Sequence, residues 1–177
     1  MLRRVILVLF TVVVTVTAQG SDPADDATKK TPEQLKKGIE NQHPATYYIL
    51  AQKLFESGKK DEAVFWFYAG QLRYRFHLLA NPDLEPSGDP ALFASLSEVI
   101  GRPINEYAFG DLKALDATLE KVLTWDEATA NGFTSAKTHK AEWIKTREGL
   151  KGMRKQVLDS SDSIRARRKA NGLPNRN

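Results

Sequence analysis

The chain has 177 residues, with 26 Lys and Arg against 22 Asp and Glu, a formal net charge of +4 and no cysteine. The missing cysteine excludes disulfides, thiolate metal sites, cysteine nucleophiles and a lipid anchor carried on a cysteine, so the fold must be stabilised by its core. The charge is uneven: residues 19–135 carry 12 basic and 18 acidic residues, whereas residues 136–177 carry 12 basic and 4 acidic ones.

Arg3 and Arg4 make a basic start, and residues 5–16 are apolar except for Thr11 and Thr15. Val16-Thr17-Ala18 then offers small residues before Gln19. This is the layout of a secretory signal peptide over residues 1–18. The run is shorter than the ~20 apolar residues of a membrane span, although an uncleaved anchor is the competing reading. Cleavage after Ala18 would leave 159 residues, a size suited to one domain. The expected location is the periplasm, with secretion from the cell as the alternative. Residues 19–30 are polar and read as a flexible leader.

Thr31-Pro32-Glu33-Gln34 has the pattern of a capping box with proline in the first turn, so a short peripheral helix should start there. His43-Pro44 opens a helix over about 44–57, with Tyr47, Leu50, Ala51 and Leu54 on one face. Gly58 ends it, and Asp61 and Glu62 favour the start of the next helix. That helix, about 61–80, carries Ala63, Phe67, Gly70 and Tyr74 on one stripe and Phe65, Leu72, Phe76 and Leu79 on another. Apolar residues on several sides predict a central, buried helix. Asp89-Pro90 reads as an N-cap and first-turn proline for a helix that turns Leu92, Phe93, Leu96, Val99 and Ile100 inward. A short helix from Arg102-Pro103 through Tyr107 stops at Gly110. Asp111 caps another, with Leu112, Leu115, Leu119, Val122 and Leu123 buried, and residues 125–132 form a helix end and loop. The last long helix, about 135–158, uses His139, Trp143, Thr146, Leu150, Met153 and Val157. Residues 159–177 read as a basic, flexible tail. No segment alternates with period two, so the predicted class is all-α, a compact multi-helix bundle over residues 31–158.

Residues 47–70 resemble a single tetratricopeptide or Sel1-like repeat. Tyr47, Leu50-Ala51 and Leu54 match its first helix, Gly58 its turn, and Ala63, Phe67 and Gly70 its second helix. The resemblance implies a helical hairpin of a kind that binds other proteins. No second copy follows at the ~34-residue period of such arrays, so the hairpin is expected at the centre of one bundle rather than in a solenoid. By analogy of size, compartment and fold, small exported immunity proteins that neutralise toxins offer the nearest concrete function.

Signatures of catalysis are absent. His43, His77 and His139 are far apart in sequence and have no metal-ligand spacing, and no nucleophile elbow, phosphate loop or zincin motif occurs. His43 reads as a helix-start residue, and His77 and His139 as packed side chains. Catalytic residues, metal and cofactors are therefore expected to be none.

The unusual constellation is Gln71-Leu72-Arg73-Tyr74-Arg75 in an apolar helix. Arg73 and Arg75 project about 200° apart. One reading is structural, with a guanidinium forked onto a carboxylate or onto helix C-terminal carbonyls. The other makes Arg73, Tyr74, Arg75 and His77 a partner-binding surface. Tyr107 and Phe109, at a helix break, are a second candidate surface, or a plug for the end of the bundle. The expected partner is a protein, a toxin or an envelope component, with weak contact to an anionic membrane or cell-wall polymer through the basic C-terminus as the alternative. Nucleic acid is not expected, since no aromatic residue follows Gly149. The oligomeric state is left open.

Overall fold

A computed structural model describes residues 27–176. The expected signal peptide and most of the leader lie outside the described residues. The elements are α1 (Pro32–Lys36), a 3-10 turn (Ile39–Asn41), α2 (Ala45–Glu56), α3 (Lys60–Ala80), α4 (Asp89–Val99), α5 (Gly101–Ala108), α6 (Leu112–Ala128), α7 (Lys140–Asp159) and α8 (Ser161–Ala170). There is no strand among the described residues, and the chain is an all-α bundle.

Local chemistry sets the boundaries. Gln34 N–H donates to Thr31 Oγ1 while Thr31 N–H donates to Gln34 Oε1, a complete capping box for α1. Ala114 N–H donates to Asp111 Oδ1 at the start of α6. Between α2 and α3, Gly58 has φ of +81°. Its N–H donates to Phe55 O and that of Lys59 donates to Leu54 O, the paired bonds of a Schellman turn.

The α2–α3 hairpin is the core of the molecule. Tyr47, Leu50, Ala51 and Leu54 from α2 meet Ala63, Phe67, Gly70 and Tyr74 from α3, all buried. A Cβ on Gly70 would lie 2.6 Å from Tyr47 Cβ, so the helices approach at a distance only glycine allows. Helix α3 also packs on α4, α5, α6 and α7. This explains its apolar residues on several faces. Trp66 and Trp125 extend the core, each edge-on to Tyr47 or Phe65.

Three regions differ from expectation. Helix α4 has no fully buried residue: Phe93 and Leu96 are half-buried, whereas Leu92 is exposed and Val99 is 69 % exposed. It leans on the sides of α2 and α3 and forms the wall of a groove. Helix α7 begins at Lys140, because 135–139 is a turn closed by His139 N–H on Ser135 O.

The tail expected over 159–177 is instead helix α8 followed by a docked segment. Gly172 N–H donates to Lys169 O and Leu173 N–H to Arg168 O, a second Schellman turn. Arg176 N–H then donates to Gly110 O at 2.7 Å, and its guanidinium lies 3.5 Å from the Tyr107 ring centroid. Arg168 is only 7 % exposed and donates to Pro174 O. Ile164 and Arg168, one turn apart, are the inward side of α8. Composition concealed this docking, because an arginine stem can cover apolar surface as well as carry charge.

Candidate functional site

Helix α3 carries four of the six sequence-selected residues, and the fold distributes them among three environments. The first centres on Asp89. It was expected to cap α4, but Gly88 holds that position. Asp89 turns inward instead. Its Oδ1 accepts from the Tyr74 hydroxyl at 2.7 Å and from His43 Nε2 at 3.0 Å, and its Oδ2 accepts from His77 Nε2 at 3.0 Å. The two histidines, 34 positions apart in sequence, have ring centroids 6.2 Å apart. Phe133 covers both rings at 4.9 and 5.0 Å. Burial alone would raise the Asp89 pKa, but the Tyr74 hydrogen bond and the two imidazoles outweigh it and hold the carboxyl below its ordinary value. Burial, followed by the Asp89 contact, pushes the Tyr74 phenol up.

The tautomers decide what this cluster can do. Ala45 N–H donates to His43 Nδ1 at 3.1 Å, so that nitrogen keeps its lone pair and Nε2 carries the proton facing Asp89. A protonated Nε2 cannot ligate a metal. Among the described residues, no group of three or more His, Cys, Asp or Glu is arranged to hold an ion. Thr134 Oγ1 lies 2.8 Å from His77 Nδ1, which places Thr134, His77 and Asp89 in a triad-like row. Thr134, however, is 6 % exposed, and its N–H donates to Asn131 Oδ1 together with that of Phe133. The hydroxyl is buried against His77, and the Phe133 and Thr134 amides are engaged by Asn131. The row fastens the 129–139 loop to α3.

Arg73 enters the second environment. It is 2 % exposed, its Nε is 2.8 Å from Asp126 Oδ1, and its Nη2 donates to Thr129 O at 2.7 Å. Arg147 from α7 approaches the same carboxylate: Nη1 donates to Asp126 Oδ2 at 3.0 Å and to Leu123 O at 2.8 Å, while Nη2 donates to Glu127 Oε2. Trp143 Nε1 also donates to Asp126 Oδ2. Two cations thus neutralise a buried anion and satisfy carbonyls at the negative end of α6. The Arg73 guanidinium lies over Trp125 at 4.8 Å. Arg73 is therefore held on a carboxylate and a helix-end carbonyl, away from any partner surface.

Arg75 lies on the opposite side of α3, exposed, with its guanidinium 5.3 Å from the Phe93 ring centroid. It borders a groove of about 530 Å³. Leu72, Leu78 and Leu79 of α3 form its floor, Phe93 of α4 one wall, and Leu150 and Met153 of α7 the other. Lys145 stands with Arg75 as the groove's second cation, and no carboxylate pairs with either among the described residues.

Tyr107 and Phe109 sit at another end of the bundle. The Tyr107 hydroxyl donates to Asp61 Oδ1 at 2.8 Å, and Arg176 covers its ring. Half-buried Phe109 lines recesses beneath α8. The six residues therefore do not form one surface: Tyr74 and His77 share Asp89, Arg73 is on Asp126, Arg75 is on the groove, and Tyr107 and Phe109 are beside α8. The missed residues include Asp89, His43, Asp126, Arg147 and Lys145. Asp126 had a signal: it continues the spacing of Leu112, Leu115, Leu119 and Val122, so a carboxylate occupies a core position.

An uncharacterized protein of Haemophilus influenzae is 31 % identical to this chain over 87 residues, 48 % of this chain and 33 % of the relative. The chain thus spans about a third of the length of that relative. No family model matches the chain, and no solved structure matches it.

Proposed function

We propose that this chain is an exported, non-enzymatic helical module that binds a protein partner and acts by occluding part of its surface. The observation carrying this reading is the open apolar groove on α3, bordered by Arg75 and Lys145, neither of which pairs with a carboxylate among the described residues. Apolar surface flanked by unpaired charge has the anatomy of an interface. The resemblance of residues 47–70 to a tetratricopeptide or Sel1-like hairpin points the same way. So does the export expected from Arg3, Arg4 and the apolar run of residues 5–16. Neutralisation of a toxin in the periplasm is the most concrete form. It predicts that deleting the gene harms cells only while a neighbouring toxin gene is active, and that the protein blocks that toxin stoichiometrically in vitro. Equal growth of the deletion strain with the toxin active would reject this form.

A second reading, contact with anionic lipid or cell-wall polymer, is favoured by Arg167 and Lys169, exposed on α8. Truncating residues 159–177 would not test it cleanly, because α8 and Arg176 are packed against the body. Replacing Arg165, Arg167 and Lys169 by Gln retains the docking residues. If this reading holds, the triple variant loses salt-sensitive co-sedimentation with phosphatidylglycerol vesicles; unchanged sedimentation rejects it.

A further inference from the structure

The groove between α3, α4 and α7 has features that specify its occupant. Its surface is largely leucine, phenylalanine and methionine, with Leu79 39 % exposed to solvent. Its wall on α7 includes Gly149; Gly152, three residues on, lies outside the lining. Glycine is among the poorest residues for a helix interior, and a packed helix normally keeps one where another backbone comes close. Gly70 shows that rule inside this molecule. Gly149 and Gly152 break it, because a Cβ at either position would meet nothing within 4 Å. At Gly149 the α7 backbone is left bare on the groove wall, and no neighbour among the described residues requires it. The groove also adjoins further recesses. It shares Met153 with a second recess of about 320 Å³ lined by Val157 and Ile164. That recess shares Phe109, Ile164 and Arg167 with a third of about 470 Å³. Recesses that adjoin in series suit a rod better than a compact ligand.

Resting on the protein-binding reading above, we infer that this groove receives an amphipathic helix of the partner, its apolar face against Leu79, Phe93, Leu150 and Met153 and its acidic flank toward Arg75 and Lys145. Apolar anchors one and two turns apart would fill the floor, and Gly149 lets the incoming backbone close on α7. These two cations, without a carboxylate among the described residues, select for an acidic partner. They also disfavour groove-to-groove pairing of two copies, which would oppose like charges.

The test uses ¹⁵N-labelled protein purified from cells expressing the full chain. Three synthetic peptides of about 18 residues, long enough to be helical in a groove, are titrated: one amphipathic with Glu on its flanks, the same peptide with Lys in place of Glu, and a scrambled version of the first. The Glu peptide should bind with shifts at Arg75, Leu79, Gly149 and Met153. The Lys peptide should bind at least about tenfold more weakly, a difference of ~1.4 kcal/mol, and the scrambled one not measurably. The double variant Arg75→Glu, Lys145→Glu should reverse the charge preference, and Gly149→Leu should abolish binding while the helical circular dichroism is kept. Equal binding of Glu and Lys peptides, or shifts confined to another face, overturns the inference. So does binding of laurate without any peptide, which would make the occupant an acyl chain. Self-association lost in Gly149→Leu would make it a second copy. If a toxin partner is identified and Gly149→Leu still neutralises it, the groove assignment falls while protein binding stands. If no protein partner exists yet the Glu peptide seats as described, the broader reading is the one that fails.

Discussion

Arg73 and Arg75 stand two residues apart on one helix and meet opposite fates. Arg73 is enclosed, with Asp126, the Thr129 carbonyl and the Trp125 face around it. Arg75 lies in solvent beside Phe93, with no carboxylate partner among the described residues. The contrast continues in their neighbours: Tyr74 and His77 converge on Asp89, whereas Leu79 opens onto the groove. One side of α3 is therefore a closed polar interior in which each charge has a partner. The other is an open apolar surface with charge to spare. Architecture and recognition are divided between faces of a single helix, and a cation is informative about function only where the fold leaves it unsatisfied.

That division can be broken most severely at Asp126. Asp126→Ala strands two buried guanidiniums and should lower stability by about 3–5 kcal/mol, read by denaturant unfolding. A loss below ~1 kcal/mol would mean that the interior network is not the structural element described. Asp89→Asn keeps the volume but mismatches a donor with the imidazole and phenol donors, at a cost of roughly 1–3 kcal/mol. The sign of its pH dependence follows from the lowered Asp89 pKa. The carboxylate's contribution is complete above the unfolded value of about 3.9 and is lost as pH falls through the lower folded value. The stability gap between the native protein and Asp89→Asn should therefore narrow below about pH 4; a constant gap down to acid unfolding would contradict the proposed hydrogen bonding.

On the open face the effects on stability are small and of a different sign. Gly149→Ala should raise the melting temperature, with up to ~1 kcal/mol gained from helix propensity, because nothing obstructs the new methyl group. Destabilisation would show that the glycine is needed within the chain. Arg75→Ala should change stability by less than about 0.5 kcal/mol while weakening binding of the acidic peptide in the same titration. If Arg75→Ala unfolded the protein as Asp126→Ala is expected to, the contrast between the two faces would disappear.

The sequence showed more of the fold than of the site. The α2–α3 hairpin was legible because its signals are local: Gly58 at the turn, the four- and three-residue spacing of Tyr47 to Leu54, and Ala63, Phe67 and Gly70 opposite them. The inward expectation for Leu92 and Val99 failed for a related reason. Periodicity shows that a helix has an apolar face, but not that a neighbour covers it. The docked C-terminus was missed because its anchors are arginines and backbone groups, which carry no hydrophobic signal.

By itself the sequence determined the helical class, the hairpin, most caps, and the presence of a charged run inside an apolar helix, since each depends on residues within a few turns of one another. Only the tertiary structure decided which charges are spent and which are free. Asp89, Asp126, Arg147, Thr134 and Lys145 come from other helices and loops, and their distances to α3 are set by how the bundle closes. A side chain's chemistry is written in the chain; whether that chemistry is satisfied depends on partners that packing alone brings within 3 Å.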